Sequence, residues 1–182
     1  MGTSLEHVMV VGGTPKEWHS VTPDEWTVLA RRLGDAAAGA GARWVTLRPY
    51  GPDADGHAAS VHVDGGGSAR WHLTTVDQRC TVVVDPTADG RAAFVAAAAA
   101  VPPDVEIDER SVAAALYAPA DVEPDLIIIV GPRDHLPPSL VWELAYGELV
   151  YVDLPSFTGL RDVELIAAID TFNGRNRRFG GI

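Results

Sequence analysis

Cysteine and positive charge are both scarce in this 182-residue chain. Cys80 is the one cysteine, and 14 basic residues stand against 25 acidic ones. A single cysteine excludes an intramolecular disulfide and a cysteine-based metal cluster, and it fits a reducing compartment. The net charge of -11 disfavours a nucleic-acid surface and gives no attraction to an anionic membrane. We expect Cys80 to be a small buried hydrophobe.

Long hydrophobic runs and a secretory leader are also missing. The longest apolar run, AAFVAAAAAV at residues 92–101, is about half of what a membrane-spanning helix needs. The N-terminal MGTSLEHVMVV has no positively charged start and no cleavage site. With 47% hydrophobic residues, the composition is that of a globular protein. We therefore expect one cytoplasmic domain over residues 1–182, without a transmembrane segment.

The familiar catalytic motifs are absent as well. The sequence has no glycine-rich dinucleotide fingerprint, Walker loop, nucleophile elbow or paired-histidine zinc motif. The glycine run at 65–67 precedes no predicted helix, which favours a hairpin turn over a phosphate-binding loop.

Strand and helix patterns instead alternate along the chain. Strands are predicted at His7–Val11 and Arg43–Arg48, as a hairpin and a third strand within 58–85, at Asp125–Val130, and at 148–152. Helices are predicted from Thr22 to about Ala40, over 92–101, near 111–117, from Ser139 to about Tyr146, and from Asp162 to about Asn176. This alternation predicts an α/β fold, with a largely parallel central sheet flanked by helices.

Three stretches carry a resemblance to a known family. The block PDLIIIVGPRDHLPPSLVWELAYGELVYVDLPSF, followed by a helix and RRFGG, resembles the end of the cis-prenyltransferases, the undecaprenyl and dehydrodolichyl diphosphate synthases. HVMVVGGTPKEW resembles the first strand and loop of that family, and ARWVTLRPYG resembles its second strand. The resemblance implies the undecaprenyl diphosphate synthase-like fold, reduced in size.

The first loop departs from the family pattern. Active members read Asp-Gly-Asn-Gly-Arg-Trp there, and the aspartate holds the magnesium and diphosphate of the allylic substrate. This chain has Gly13 in place of the aspartate and Glu17 in place of the arginine. An anion in place of a phosphate-facing cation replaces attraction with repulsion.

The second substrate site departs too. The family's Arg-Thr-Ser-Gly stretch, with the arginine and serine that follow it, holds isopentenyl diphosphate. It falls here on Ile129, Val130 and Gly131, and then on His135 and Pro137. With both diphosphate sites degenerate, the chain resembles the non-catalytic Nogo-B receptor-type subunits of two-component cis-prenyltransferases.

The C-terminal tail keeps a family feature. The resemblance implies that the Arg-x-Gly motif, here Arg178, Phe179 and Gly180, crosses a dimer interface and binds diphosphate in the partner's active site. A guanidinium offers a planar fork of donors, and glycine allows close backbone approach. Without that resemblance, the tail is an ordinary helix ending of basic residues and glycine.

The predicted interface for the partner is the region from Ser139 to Leu154. Its candidate residues are Ser139, Trp142, Tyr146, Glu148, Val150 and Val152. Trp142 and Tyr146 are spaced to share one helical face, which also suits ordinary packing.

Four other residues have two interpretations each. Glu148 matches a metal-associated family glutamate, although a structural role is favoured. Arg91 resembles a tunnel residue of the family, while Asp89 beside it is expected to cap a helix. Trp18 and Trp26 are expected in the core rather than along a lipid cavity.

The leading hypothesis is a non-catalytic accessory subunit of a heteromeric cis-prenyltransferase. Its catalytic partner would bind Mg²⁺, and the complex would condense isopentenyl diphosphate with an allylic diphosphate. A homodimeric binding or scaffold protein of the same fold is the alternative. A self-sufficient enzyme with a relocated site is a third possibility, which no motif supports.

Overall fold

A computed structural model of the chain describes residues 4–56, 59, 70–74, 79–131 and 133–175. The strands are β1 (His7–Gly12), β2 (Trp44–Arg48), β3 (Trp71–Thr74), β4 (Thr81–Val84), β5 (Leu126–Val130) and β6 (Glu148–Val152). The helices are α1 (Pro15–Ser20), α2 (Pro23–Gly39), α3 (Gly90–Ala100), α4 (Glu109–Tyr117) and α5 (Asp162–Asn173), with 3-10 turns at Glu143–Ala145 and Phe157–Gly159.

The described strands form one sheet in the order β3-β4-β2-β1-β5-β6. β3 runs antiparallel to β4, and the four other pairings are parallel. β5 lies between two parallel neighbours and is buried along its whole length, as its continuous β-branched sequence predicts. The predicted α/β fold with a largely parallel sheet is confirmed.

Helices cover both faces of the sheet. Alternate strand residues such as Val10 and Ile128 pack in a layer with α2 and α5. Their neighbours Val11 and Ile129 pack in a second layer with α3 and α4. Cys80 is buried in the first layer, and this burial raises the pKa of its thiol to about 12. The expectation of a buried, hydrophobe-like cysteine is confirmed.

Side chains define where two helices begin. Thr22 and Glu25 form a reciprocal capping box at the start of α2, with Pro23 at the first helical position. The Asp89 carboxylate accepts hydrogen bonds from the first amides of α3, so its predicted capping role is confirmed. Among the described residues, no helix is long and apolar enough to cross a membrane.

The predicted helix from Ser139 to Tyr146 is wrong. Only the turn Glu143–Ala145 is helical there. The Ser139 amide donates to the Tyr50 carbonyl oxygen, and the Val141 amide donates to the Glu143 carboxylate. The Glu143 side chain is drawn inward to a buried arginine, Arg48, and only this single turn of helix remains.

The structure adds α1, which the sequence analysis treated as a loop. Thr14 caps this helix and Pro15 follows, repeating the Thr-Pro start of α2. The last helix ends at Asn173, earlier than predicted. The first of the three strands predicted within 58–85, at residues 60–64, lies outside the described residues.

Candidate functional site

The parallel strands end together at one edge of the sheet, which we call the carboxyl edge. Gly13, Asp85, Gly131 and Asp153 directly follow β1, β4, β5 and β6 there. In open α/β sheets, ligands bind outside the carboxyl ends of the strands. The degenerate family positions of the first loop also lie at this edge, so it is the place to look for a site.

The first loop is tight and has a left-handed backbone conformation at Gly13. Its φ of +77° is a conformation that residues other than glycine rarely adopt. A Cβ there would lie 3.0 Å from the Trp18 ring and 3.1 Å from Phe157. The loop therefore favours glycine, and a larger residue at position 13 would require Trp18 or Phe157 to shift.

Glu17 is held by donors of its own chain. Its Oε1 atom accepts a hydrogen bond from the Ser156 hydroxyl at 2.5 Å and one from the Thr158 amide at 3.4 Å. Beside it, the Trp18 indole donates to the Gly12 carbonyl oxygen at 2.8 Å. The Glu17 carboxylate thus accepts hydrogen bonds from Ser156 and Thr158, which lie next to the first loop.

Aromatic packing fixes the same region. The rings of Trp18 and Phe157 stack with centroids 5.5 Å apart, and Trp26 packs against both. Trp18 and Trp26 are fully buried, so the expectation of core positions is confirmed. The 156–159 turn is thereby packed against α1 through both Glu17 and Phe157.

The positions that match the isopentenyl diphosphate site include Ile129 and Pro137, which are buried, and His135, which is exposed. Ile129 lies under α3 and α4. The His135 ring is exposed and lies 2.9 Å from the Asp134 carboxylate, which lowers the pKa of Asp134 through their hydrogen bond. The His135 carbonyl oxygen accepts from the Tyr50 hydroxyl at 2.8 Å.

Under the carboxyl edge lies a buried ionic cluster, formed by Arg48, Arg70, Asp85 and Glu143. The Arg48 guanidinium donates to Asp85 at 3.0 Å and to Glu143 at 2.5 Å. Asp85 also accepts from Arg70 at 2.9 Å and from the Thr87 hydroxyl at 2.6 Å. The two cations and two anions balance, as burial of charge requires.

Burial and pairing act in opposite directions on these groups. Burial favours the neutral form of Arg48, but the charges of Asp85 and Glu143 raise its pKa above the ordinary value. Burial also raises the pKa of Asp85, yet Arg48 and Arg70 outweigh this and hold it below the ordinary value. Arg48 and Asp85 are therefore both ionised at neutral pH.

A second buried polar group lies on the same face of the sheet. The His7 ring lies 2.8 Å from the Val122 carbonyl oxygen and 2.9 Å from the Thr46 hydroxyl. Since a carbonyl only accepts, Nδ1 carries the proton and Nε2 accepts from Thr46. Burial lowers the pKa of His7 to about 4. His7, Thr46 and Arg48 thus place polar groups under α3 and α4.

The candidate interface residues are placed in different surroundings. Ser139 is fully buried and Val150 nearly so in the single chain. Trp142 is partly buried against Phe94, and Tyr146 is 62% exposed. Val152 is partly buried. The exposed part of the predicted interface is therefore the turn around Tyr146.

Glu148 lies at the opposite edge from the first loop. It begins β6, and its carboxylate is 3.8 Å from the Arg175 guanidinium, which donates to the Leu149 carbonyl oxygen.

Arg91 is exposed in the first turn of α3. The tail residues Arg178, Phe179 and Gly180 lie outside the described residues.

The ionic cluster was missed by the sequence analysis. The signal was present in β2, where Arg48 follows Trp44 and Thr46 at alternate positions of a buried strand. A charged residue at such a position requires a buried partner. Its partners, Asp85 and Glu143, are distant in sequence and follow no local pattern.

A comparison with known families identifies the class of protein to which the chain belongs. A family model described as "Putative undecaprenyl diphosphate synthase" matches residues 68–180. This match covers more than half of the chain. The chain therefore belongs to the undecaprenyl diphosphate synthase, or cis-prenyltransferase, family.

Curated relatives match a shorter part. The chain is 39% identical over 83 residues to the ditrans,polycis-undecaprenyl-diphosphate synthase ((2E,6E)-farnesyl-diphosphate specific) of Lactiplantibacillus plantarum. It is 36% identical over 75 residues to the tritrans,polycis-undecaprenyl-diphosphate synthase (geranylgeranyl-diphosphate specific) of Pyrococcus horikoshii. These alignments cover 42% and 41% of this chain, and 30% and 28% of the two synthases. The aligned part is thus under one third of each relative.

A solved structure supports the fold over nearly the whole chain. The crystal structure of a probable undecaprenyl diphosphate synthase from Campylobacter jejuni aligns with a TM-score of 0.61. The alignment covers 98% of this chain and 100% of that one, at 15% identity. At this identity the likeness concerns the fold alone.

Proposed function

We propose that this chain is a non-catalytic subunit of a heteromeric cis-prenyltransferase, similar to the Nogo-B receptor type. The complex condenses isopentenyl diphosphate with an allylic diphosphate, and the second chain provides the catalytic site. The observation that carries the proposal is the carboxylate of Glu17, held by Ser156 and Thr158 beside the first loop. A diphosphate there would meet an anion where its binding requires cations.

The proposal also places the metal ion in the partner. Among the described residues, no group of three histidine, cysteine, aspartate or glutamate side chains could hold a metal ion. The first loop has glycine where a metal-binding carboxylate is needed, and Glu17 is engaged with Ser156. We therefore assign Mg²⁺ to the catalytic partner, where it would neutralise charge on the diphosphates.

The layer between the sheet and α3 and α4 also supports the proposal. Arg48, Asp85 and Glu143 fill part of it with buried charge, and His7 with Thr46 adds a polar pair. An isoprenoid chain is entirely apolar and gains nothing from such surroundings. We propose that the growing product lies in the partner.

The end of α5 is placed suitably for a tail that acts in another chain. Arg175 lies beside Glu148 at the amino end of β6, and β6 separates this point from the carboxyl edge by about 13 Å. Arg175, the last described residue, therefore lies away from the chain's own first loop. In our proposal, Arg178 and the amides near Gly180 bind diphosphate in the partner's site.

Co-purification from the native host tests the proposal. The chain is expected to bring down a related family member that has an aspartate in its first loop, and the pair is expected to show prenyl transfer with Mg²⁺. The alternative, a homodimeric scaffold, predicts a stable homodimer in sedimentation and no such partner. Isolation of the homodimer alone would contradict the heteromeric assignment.

A further inference from the structure

An apolar groove lies between α3, α4 and the turn at 141–146. It has a volume of about 650 Å³, and its walls include Phe94, Ile107, Trp142 and Tyr146. Ile107 is 67% exposed and Tyr146 is 62% exposed, although both are large and largely apolar. Contiguous exposed apolar surface of this kind marks sites of association.

The groove is already formed in the isolated chain. Phe94 and Trp142 stack with ring centroids 5.4 Å apart, and the Trp142 indole donates to Glu123 at 2.9 Å. Across the groove, a hydrogen bond to Glu109 raises the pKa of Tyr146. A preformed surface loses little conformational entropy when it binds.

The rim of the groove is acidic. Asp108 and Glu109 line it, and Asp104 and Glu106 are exposed just before them. The neighbouring cation, Arg110, does not line the groove, but it lines an adjoining depression that Asp108, Glu109 and Asp121 also line. This rim repels the diphosphate of an isoprenoid, and it also disfavours a second copy of a chain whose net charge is -11.

We propose that the groove receives a segment of the catalytic partner that carries apolar side chains flanked by lysine or arginine. The apolar side chains fill the space beside Ile107 and Trp142, and the basic groups face Asp108 and Glu109. This inference rests on the proposed function and names the partner chemistry that selects this chain. It extends the contact surface to α3 and the start of α4, beyond the region from Ser139 to Leu154.

The test measures partner affinity for surface variants. The probe is each family member of the same genome that has an aspartate in its first loop, purified and titrated against the chain by biolayer interferometry. Ile107→Ser and Glu109→Lys alter the groove. Two control variants make the matched changes at exposed positions on the other face of the sheet. Val28→Ser on α2 is the control for Ile107→Ser, and Asp170→Lys on α5 is the control for Glu109→Lys.

Both groove variants are expected to weaken binding by at least about tenfold, as for central interface contacts. Glu109→Lys is also expected to reduce the dependence of affinity on salt, because the removed attraction is screened by ions. The two control variants are expected to bind as the wild type does. Thermal unfolding checks that all four variants are folded.

The possible failures are distinguishable. If the wild-type chain binds a partner and both groove variants bind equally well, the groove proposal is wrong while the proposed function stands. If the wild-type chain self-associates and Ile107→Ser abolishes this, the occupant is a second copy and the proposal is overturned. If no family member binds the wild-type chain, the proposed function fails and this inference fails with it.

Discussion

The Glu17 carboxylate lies 2.5 Å from the Ser156 hydroxyl and thereby joins α1 to the turn after β6. The neighbouring Trp18 and Phe157 rings stack between the same two segments. Side chains of α1 and of the 156–159 turn therefore fill the region beside Gly13. The position that the family resemblance assigns to a phosphate-facing arginine is here part of the packing.

Gly13→Ala is expected to lower the free energy of unfolding by about 2 to 4 kcal/mol. Positive φ costs roughly 1 to 2 kcal/mol, and crowding against Trp18 and Phe157 adds to it. Gly56 is the matched control, since its φ is +78° and its Cβ would meet nothing within 4 Å. Urea denaturation of Gly13→Ala and Gly56→Ala separates strain from crowding, and equal losses would show that the loop has room at position 13.

Arg48→Met is expected to cost about 3 to 5 kcal/mol, because it leaves Glu143 buried without its cation. The double variant Arg48→Met, Glu143→Leu is expected to recover a large part of this loss, since Asp85 still has Arg70. Arg161→Met, which breaks an exposed pair with Glu164, serves as the control with a much smaller effect. A double variant as unstable as Arg48→Met would show that the charges are not coupled.

Stability is expected to fall as the pH drops from about 6.5 toward 4. Burial lowers the pKa of folded His7 to about 4, so the unfolded chain binds more protons in this range. Excess protons on the unfolded state make unfolding easier, by roughly 3 kcal/mol at the lower limit. The depressed pKa of Asp85 adds a further loss at still lower pH.

Urea denaturation at several pH values checks this. His7→Gln is expected to flatten the slope between pH 6.5 and pH 4, at the cost of some stability at neutral pH. His135→Gln, which changes an exposed ring, is expected to keep the wild-type slope. An unchanged slope in His7→Gln would mean that another group titrates in this window.

The sequence predicted most of the fold because the signals are local. Thr22 and Pro23 mark the start of α2, and the β-branched run after Asp125 marks β5. The sheet order and the partners of Arg48 depend on contacts between distant segments, which no local pattern encodes. The helix predicted at Ser139–Tyr146 failed for the same reason, since Glu143 turns toward Arg48.

The candidate site was predicted in part. The loss of the carboxylate at Gly13 and the change to an anion at Glu17 are visible in the sequence. The residues that contact this loop could not be predicted, because Ser156 and Phe157 come from a turn far along the chain. The start of α1 could have been predicted, since Thr14 and Pro15 repeat the cap of α2.

Arg178→Ala is expected to leave the complex assembled and to lower its rate of condensation. Loss of one charge-assisted contact to diphosphate is of the order of 2 to 4 kcal/mol, or roughly 30- to 1000-fold in rate. Deletion of residues 179–182 is expected to act similarly, and Arg177→Ala is expected to have a smaller effect. Steady-state kinetics with gel filtration measures both properties, and wild-type turnover by the Arg178→Ala complex would contradict the role of the tail.

The central claim is that this chain does not catalyse condensation by itself. The most direct measurement is incorporation of labelled isopentenyl diphosphate into polyprenyl product, with an allylic diphosphate and Mg²⁺, by the chain alone, by its partner alone and by the complex. The account predicts no product from the chain alone, even after Gly13→Asp, and robust turnover from the complex. Sustained turnover by the isolated wild-type chain would contradict it.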